Sequence, residues 1–172
     1  MAQALHWATA LLVLIAFLYG PGGSEQRVYS AAADPDRQLH ETLGLCVLAL
    51  ALVRVLWRLV DTRPAPAAVA RWMGWASKAV QYALYMLLFA LPLTAITAAW
   101  LEGHPLTLLG GLQLAPRLAE VHALGAQVAT IHGWLGDIIL WLAGLHALAA
   151  LGHHFLLRDG VLLSMLPGRG RR

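Results

Sequence analysis

The chain has 172 residues, of which 59% are hydrophobic and only 12% charged, with a formal net charge of +3. Soluble domains average about 45 to 50% apolar and about 25% charged residues. This composition excludes an ordinary water-soluble globule and indicates a protein whose outside is covered by lipid. The single Cys excludes an internal disulfide and a thiolate metal cluster. The eight His are therefore the most conspicuous candidate ligands.

Four apolar stretches are long enough to cross a hydrocarbon core about 30 Å thick, which takes roughly 20 residues of helix. They cover about residues 2–19, 39–60, 77–100 and 130–157. Pro92, inside the third stretch, predicts a kink there. The first stretch lacks the basic start and the cleavage site of a secretory signal, so we interpret it as a retained span. We predict a single all-α membrane domain, a four-helix transmembrane bundle.

The connection between the third and fourth spans has a helical pattern of its own. Apolar residues recur at helical spacing from Leu118 to Ala129, with Glu120 and Gln127 between them. We expect a short interfacial helix here, leading into the last span.

The basic residues predict the orientation of the bundle. Nine of the twelve lie around the connection between the second and third spans or near the C-terminus, namely Arg54, Arg58, Arg63, Arg71, Lys78, Arg158, Arg169, Arg171 and Arg172. Only Arg27, Arg37 and Arg117 lie in the opposite connections. By the positive-inside rule, both termini face the cytoplasm. No basic stripe with interleaved aromatic residues argues for nucleic acid as a partner.

Histidines within the spans are the strongest functional signal, because ionisable side chains are costly in lipid. His132 and His146 are 14 residues apart, which is roughly 21 Å and nearly four turns of helix. Both therefore face the same side, one near each leaflet. In the predicted topology His6 enters from the cytoplasmic side and can meet His146. His40 enters from the periplasmic side and can meet His132.

Two such pairs have the geometry of two bis-histidine haems stacked across a four-helix bundle, with the four histidines binding the haem irons. A flat ring needs small neighbours, and these are present as Gly44, Gly133, Gly136 and Gly144. Arg54 follows His40 by 14 residues and is a candidate partner for the propionates of the inner haem. The spacing leaves two alternatives open, a proton or divalent-metal transporter lined by the same histidines and a purely structural role.

The remaining histidines receive different interpretations. His153 follows His146 by seven residues, about two turns, and so lies on the haem face roughly 10 Å closer to the cytoplasm. An imidazole there can hydrogen-bond a quinone carbonyl and carry its proton, which makes His153 a candidate quinone residue. Alternatively, His153 and His154 anchor the helix end at the headgroups. We interpret His104 and His122 as surface histidines.

Six segments of the chain also carry a family resemblance. They are Leu5-His6-Trp7, Leu39-His40-Glu41-Thr42-Leu43-Gly44, Val53-Arg54-Val55-Leu56-Trp57-Arg58, the Tyr85 to Pro92 stretch, Ile131-His132-Gly133 and the stretch from Gly144 to Phe155. In these segments the chain resembles the bacterial cytochrome b561 family, and the resemblance covers essentially its whole length. The last segment is the most specific.

The resemblance implies a bacterial inner-membrane protein with four spans and two b-type haems. It places the axial ligands at His6, His40, His132 and His146, which agrees with the pairing from spacing. It also implies electron transfer between a donor or redox partner at the periplasmic face and a quinone such as ubiquinone in the membrane. Some members are described as superoxide oxidases, and related cytochromes anchor periplasmic oxidoreductases. The outer connections of this chain hold more acidic than basic residues, which would repel superoxide.

Overall fold

The computed structural model describes residues 1–60, 71–158 and 161–165. Six α-helices lie within these ranges, namely α1 (Ala2–Leu18), α2 (Glu25–Val28), α3 (Asp34–Val60), α4 (Arg71–Leu101), α5 (His122–Gly152) and α6 (Val161–Ser164). A π-helical turn, His153–Leu157, extends α5. A two-stranded antiparallel hairpin, β1 (Leu106–Thr107) and β2 (Gln113–Leu114), follows α4. The predicted helical fold class is confirmed.

Three helices are long and apolar enough to cross a membrane. They are α3, α4 and α5 with its π-helical extension, whereas α1 is apolar but has only 17 residues. Three of the four predicted spans are thus supported by length and composition, and α1 as a fourth span stays a prediction. The helices α3, α4 and α5 begin before the predicted apolar stretches. Their first turns carry polar residues, which an apolar stretch does not include. The helix α4 continues through Pro92 without interruption.

The expected interfacial helix is not present as a separate element. Residues 118–121 precede α5, and residues 122–129 form its first turns. The apolar spacing in this stretch belongs to the last span itself, because the helix is continuous. The hairpin occupies the earlier part of the connection. Gly110 and Gly111 form its turn with φ values of 88° and 81°, a conformation that glycine adopts without strain.

The bundle packs through a small core and exposes most of its large apolar side chains. Helix α1 packs on α3, α3 on α4, and α4 on α5. Val47, Ala51, Leu87, Leu88 and Ile139 form the buried cluster at their centre. Trp72 and Trp141 are 70% and 75% exposed. Outward apolar surfaces of this kind fit a protein surrounded by lipid.

Both ends of the described chain lie at the same end of the bundle. The indole Nε1 of Trp7 donates a hydrogen bond of 2.8 Å to the carbonyl of Met165. The opposite end carries the hairpin. Which end faces the cytoplasm stays a prediction, and four of the basic residues that support it, Arg63, Arg169, Arg171 and Arg172, lie outside the described residues.

Candidate metal centres

The outer pair of histidines, His40 on α3 and His132 on α5, lies at the hairpin end of the bundle. The ring centroids are 5.9 Å apart and the ring planes are 88° from parallel. The Nδ1 atom of His40 lies 2.7 Å from the carbonyl oxygen of Ala16, and that of His132 lies 2.9 Å from the carbonyl of Leu91. Because a carbonyl only accepts hydrogen bonds, each Nδ1 carries the proton. Each Nε2 therefore keeps its lone pair for a metal.

The end of α1 positions the outer pair. The helix ends at Leu18, and a Cβ at Gly20, two residues later, would approach Cε1 of the His40 ring to 3.3 Å. A larger residue would push on this ring. The close approach keeps the last turn of α1, with the carbonyl of Ala16, against His40.

The inner pair, His6 on α1 and His146 on α5, lies at the opposite end of the bundle. Its ring centroids are 6.5 Å apart and its planes are 75° from parallel. The edge of the Trp7 ring packs against His6, with centroids 5.4 Å apart. The structure thus brings the four predicted ligand histidines together in the two predicted pairs.

The donor set fits a haem better than a bare ion. An imidazole nitrogen lies about 2.0 to 2.1 Å from a metal, so two opposed ligands place their ring centroids about 6 Å apart. Both pairs are close to this separation. Within residues 1–60, 71–158 and 161–165, no group of three or more His, Cys, Asp or Glu is placed to hold an ion. Two nitrogens alone suit a metal that brings its other ligands with it, as the iron of a porphyrin does.

The space beside the outer pair also fits a flat ring. Gly44 and Gly136 follow His40 and His132 by one turn and line the same cavity, together with Leu106 of the hairpin. A Cβ at either glycine would meet nothing within 4 Å. These two positions therefore leave open volume directly beside the imidazoles.

Arg54 lies close to the inner pair, and His153 lies seven residues after His146 on the last span. The guanidinium carbon of Arg54 lies 5.2 Å from the centroid of the Tyr85 ring, and Arg54 is near enough to His6 for their charges to interact. This location agrees with a role beside the inner centre. His153 begins the π-helical turn, and π-helical turns are frequent at functional sites.

His104 and His122 lie outside both pairs. The ring of His104 stacks on Tyr29 at 3.5 Å, and its Nε2 lies 2.8 Å from a carboxylate oxygen of Glu25. The side chain of His122 is 63% exposed and lies 3.8 Å from Glu120. Neither histidine approaches the paired imidazoles.

A polar cluster next to the outer pair was not predicted from the sequence. Arg37, only 8% exposed, donates hydrogen bonds to Asp34 and, over 2.9 Å, to Glu41. The second carboxylate oxygen of Glu41 accepts the backbone N–H of Thr107, which ties the hairpin to α3. The acids three residues before and four residues after Arg37 are the sequence signal for this ion-pair network.

Acidic neighbours shape the electrostatics of this outer end. Burial raises the pKa of Tyr29, and the nearby carboxylates of Glu41 and Glu102 raise it further. Burial also raises the pKa of Glu102, with Glu25 adding to the effect. The hairpin end of the bundle therefore holds several buried or half-buried carboxyl groups, those of Glu25, Glu41 and Glu102.

Replacing Arg37 with alanine is expected to destabilise the outer end of the bundle. The substitution leaves Glu41 buried without its cation, and removing one partner of a buried ion pair costs about 3 kcal/mol or more. Thermal unfolding in detergent measures the effect as a lower midpoint. Arg27→Ala, at an exposed position of the same connection, is the control and should change the midpoint little. Equal midpoints for the two variants would contradict a stabilising role for the network.

Two facing histidine pairs between apolar helices, with Nδ1 of each outer imidazole bonded to a backbone carbonyl, are the arrangement expected of a membrane-bound cytochrome of the b type. The chain belongs to the prokaryotic cytochrome b561 family, whose model matches residues 1–168. It is thus a bacterial membrane protein of electron transport, from a family that binds b-type haem.

Three relatives illustrate the similarity. The chain is 28% identical to cytochrome b561 homolog 2 of Escherichia coli over 96% of its own length and 89% of the relative. It is 28% identical to the probable superoxide oxidase CybB of Yersinia pestis, over 95% and 92% of the two chains. It is 32% identical to cytochrome b562 of Cereibacter sphaeroides, over 96% and 92%.

Proposed function

We propose that this protein is a four-span, di-haem cytochrome of the bacterial inner membrane, with both termini in the cytoplasm. One haem is held by His40 and His132, the other by His6 and His146. Electrons pass between a donor on the periplasmic side and a quinone, such as ubiquinone, in the membrane. The observation that carries the proposal is the occurrence of two facing histidine pairs, one at each end of α5, at metal-binding separation.

The residues of the chain suit outer-sphere electron transfer. A bound haem supplies a one-electron iron couple. Two histidines at each centre would hold the iron and would leave it no position at which to bind a substrate. The hydrogen bonds from His40 and His132 to backbone carbonyls hold the two outer imidazole rings in place. These rings therefore need to move little when the iron gains or loses an electron. Arg54 places a positive charge at the inner centre, where it can hold a propionate.

We assign the reaction with quinone to the inner end of the bundle, where His6 and His146 lie. His153 lies on the same face of the last span as His146, about two turns further along. Its imidazole can donate a hydrogen bond to a quinone carbonyl and pass on a proton. The π-helical turn and the hydrogen bond from Trp7 to Met165 lie at this same end of the bundle.

The charge of the outer connections determines which electron donor can approach this end of the bundle. The Yersinia pestis relative is named a probable superoxide oxidase, so superoxide is the first donor to test. The outer connections of this chain expose or half-expose Glu25, Asp36 and Glu120, against Arg27 and Arg117, while Arg37 is neutralised by its own carboxylates. This balance favours a neutral donor, or a protein with a basic docking surface, over an anion.

Spectroscopy of the purified protein tests the haem assignment. We expect two b-type haems per chain by extraction. We also expect highly anisotropic low-spin EPR signals from the oxidised protein, because the ring planes in the two pairs are 88° and 75° from parallel. Perpendicular imidazoles leave two iron d orbitals nearly equal in energy, which produces this anisotropy. One haem per chain, or oxidised haems without a low-spin signal, would contradict the assignment.

A kinetic measurement tests the quinone assignment separately. The protein is reduced with a limiting amount of dithionite and mixed with a water-soluble quinone analogue. We expect rapid reoxidation of the haem absorbance. Failure of the analogue to reoxidise a protein that contains both haems would refute the quinone part of the proposal alone.

A further inference from the structure

An acidic residue lies in the middle of the last span. Asp137 is the sixteenth residue of the 36-residue apolar segment His122–Leu157, and its side chain is exposed. Among the residues that the structure describes, its carboxyl group has no hydrogen-bond or ion-pair partner. An acidic side chain at this depth of a bilayer is costly and usually has a partner. The position therefore calls for a partner outside the described chain.

The carboxyl group points away from the candidate haem centres. At about 100° per residue, Asp137 lies about 140° around the helix from His132. Ile139, which is only 3% exposed, marks the side of α5 that packs into the bundle, and Asp137 lies about 160° from it. Asp137 therefore faces the lipid and serves neither histidine pair.

The neighbours of Asp137 on this side of the helix form a surface suited to another helix. Trp134 and Trp141, about one turn before and after it, are 65% and 75% exposed. Gly133 and Gly144 have nothing within 4 Å of a Cβ built on them. Small residues let helix backbones approach closely in a membrane, and polar side chains hydrogen-bond across such contacts. We call these five residues the Asp137 face.

We propose that the Asp137 face binds the same face of a second copy, which makes the protein a symmetric dimer in the membrane. Both copies insert with the same orientation, so a two-fold axis along the membrane normal places equal residues at equal depth. Each Asp137 then meets its counterpart. The two carboxyl groups can then hydrogen-bond to each other across the contact.

A second copy is favoured over a helix of another protein because it supplies everything that the face needs at the required depth. It brings a hydrogen-bond partner for the carboxyl group, glycines opposite glycines, and tryptophans to cover tryptophans. The dimer also leaves the histidine pairs untouched, since they lie on the other side of α5. The inference therefore does not depend on the proposed function.

Light scattering of the purified full-length protein in mild detergent and in nanodiscs tests the dimer. We expect the wild type to be a dimer, and Asp137→Asn to remain one because an amide both donates and accepts hydrogen bonds. Asp137→Leu should weaken dimerisation at least tenfold while raising the thermal stability of the monomer. A monomeric wild type, or an Asp137→Leu variant that dimerises like the wild type, would overturn the proposal.

Cross-linking in native membranes provides a second test that keeps Asp137 in place. In a Cys46→Ser background, which removes the exposed native thiol, Trp141→Cys should cross-link to its counterpart under mild oxidation. Met86→Cys on α4, at a position 70% exposed, is the matched control and should not. Equal cross-linking of the two variants would overturn the proposal. So would a different protein that cross-links to Trp141→Cys in place of the second copy.

Discussion

Replacing His132 with alanine is expected to remove one of the two b haems and to leave the other in place. His132 supplies one axial nitrogen of the outer pair, with its Nδ1 held 2.9 Å from the carbonyl of Leu91. Alanine removes that ligand without disturbing the inner pair, whose His146 is about 21 Å away along the same helix. Haem extraction should fall from two per chain to about one. His146→Ala should give the same stoichiometry but retain the outer haem.

The pairing itself is tested by comparing the spectra of the haems that remain. His40→Ala and His132→Ala should leave the same haem, with one reduced spectrum and one midpoint potential. His6→Ala and His146→Ala should leave the other. His122→Ala is a control on the same helix, since that side chain is exposed beside Glu120, and should retain both haems. If His40→Ala and His132→Ala left different haems, the assignment of ligands to pairs would be wrong.

The placement of the four histidines was predictable from the sequence because it depends on regular properties of helices. A 14-residue interval places His132 and His146 on one face whatever the surroundings. Alternation of the spans then decides which end each of His6 and His40 can reach. These two rules need no knowledge of how the helices pack. The two facing pairs in the structure have the same partners.

Features that depend on helix packing were not accessible in this way. The hydrogen-bond acceptors of His40 and His132 are backbone carbonyls of Ala16 and Leu91. Every residue has such a carbonyl, so no residue type signals this contact. The burial of Arg37 was missed for a related reason. Its charge suggested a solvent-exposed connection, whereas the carboxylates of Asp34 and Glu41 allow it to lie inside.

The interfacial helix expected before α5 was not confirmed, because periodicity does not mark where a helix begins. Apolar residues from Leu118 onward keep the helical spacing, yet the helix starts only at His122. Asp137 illustrates the complementary case. An acidic residue in a span is visible in the sequence as a functional signal, but only the packing of Ile139 into the core establishes that the carboxyl group faces outward.

Replacing His153 with alanine is expected to slow electron exchange with a quinone analogue by at least about tenfold, since an imidazole acting as general acid contributes this much or more. Both haems and their reduction by dithionite should be retained, because His153 is not one of the four paired histidines. Stopped-flow reoxidation of the reduced protein measures the effect.

His154→Ala is the matched control for this prediction. It is the next residue of the same π-helical turn and therefore points to a different side of the helix. If both histidines only anchor the helix end at the headgroups, the two variants should behave alike. A slow His153→Ala beside a fast His154→Ala would instead place the quinone at the inner centre. Unchanged kinetics in both would move the quinone site to the outer pair, beneath the hairpin, where Leu106 lines the cavity beside His40 and His132.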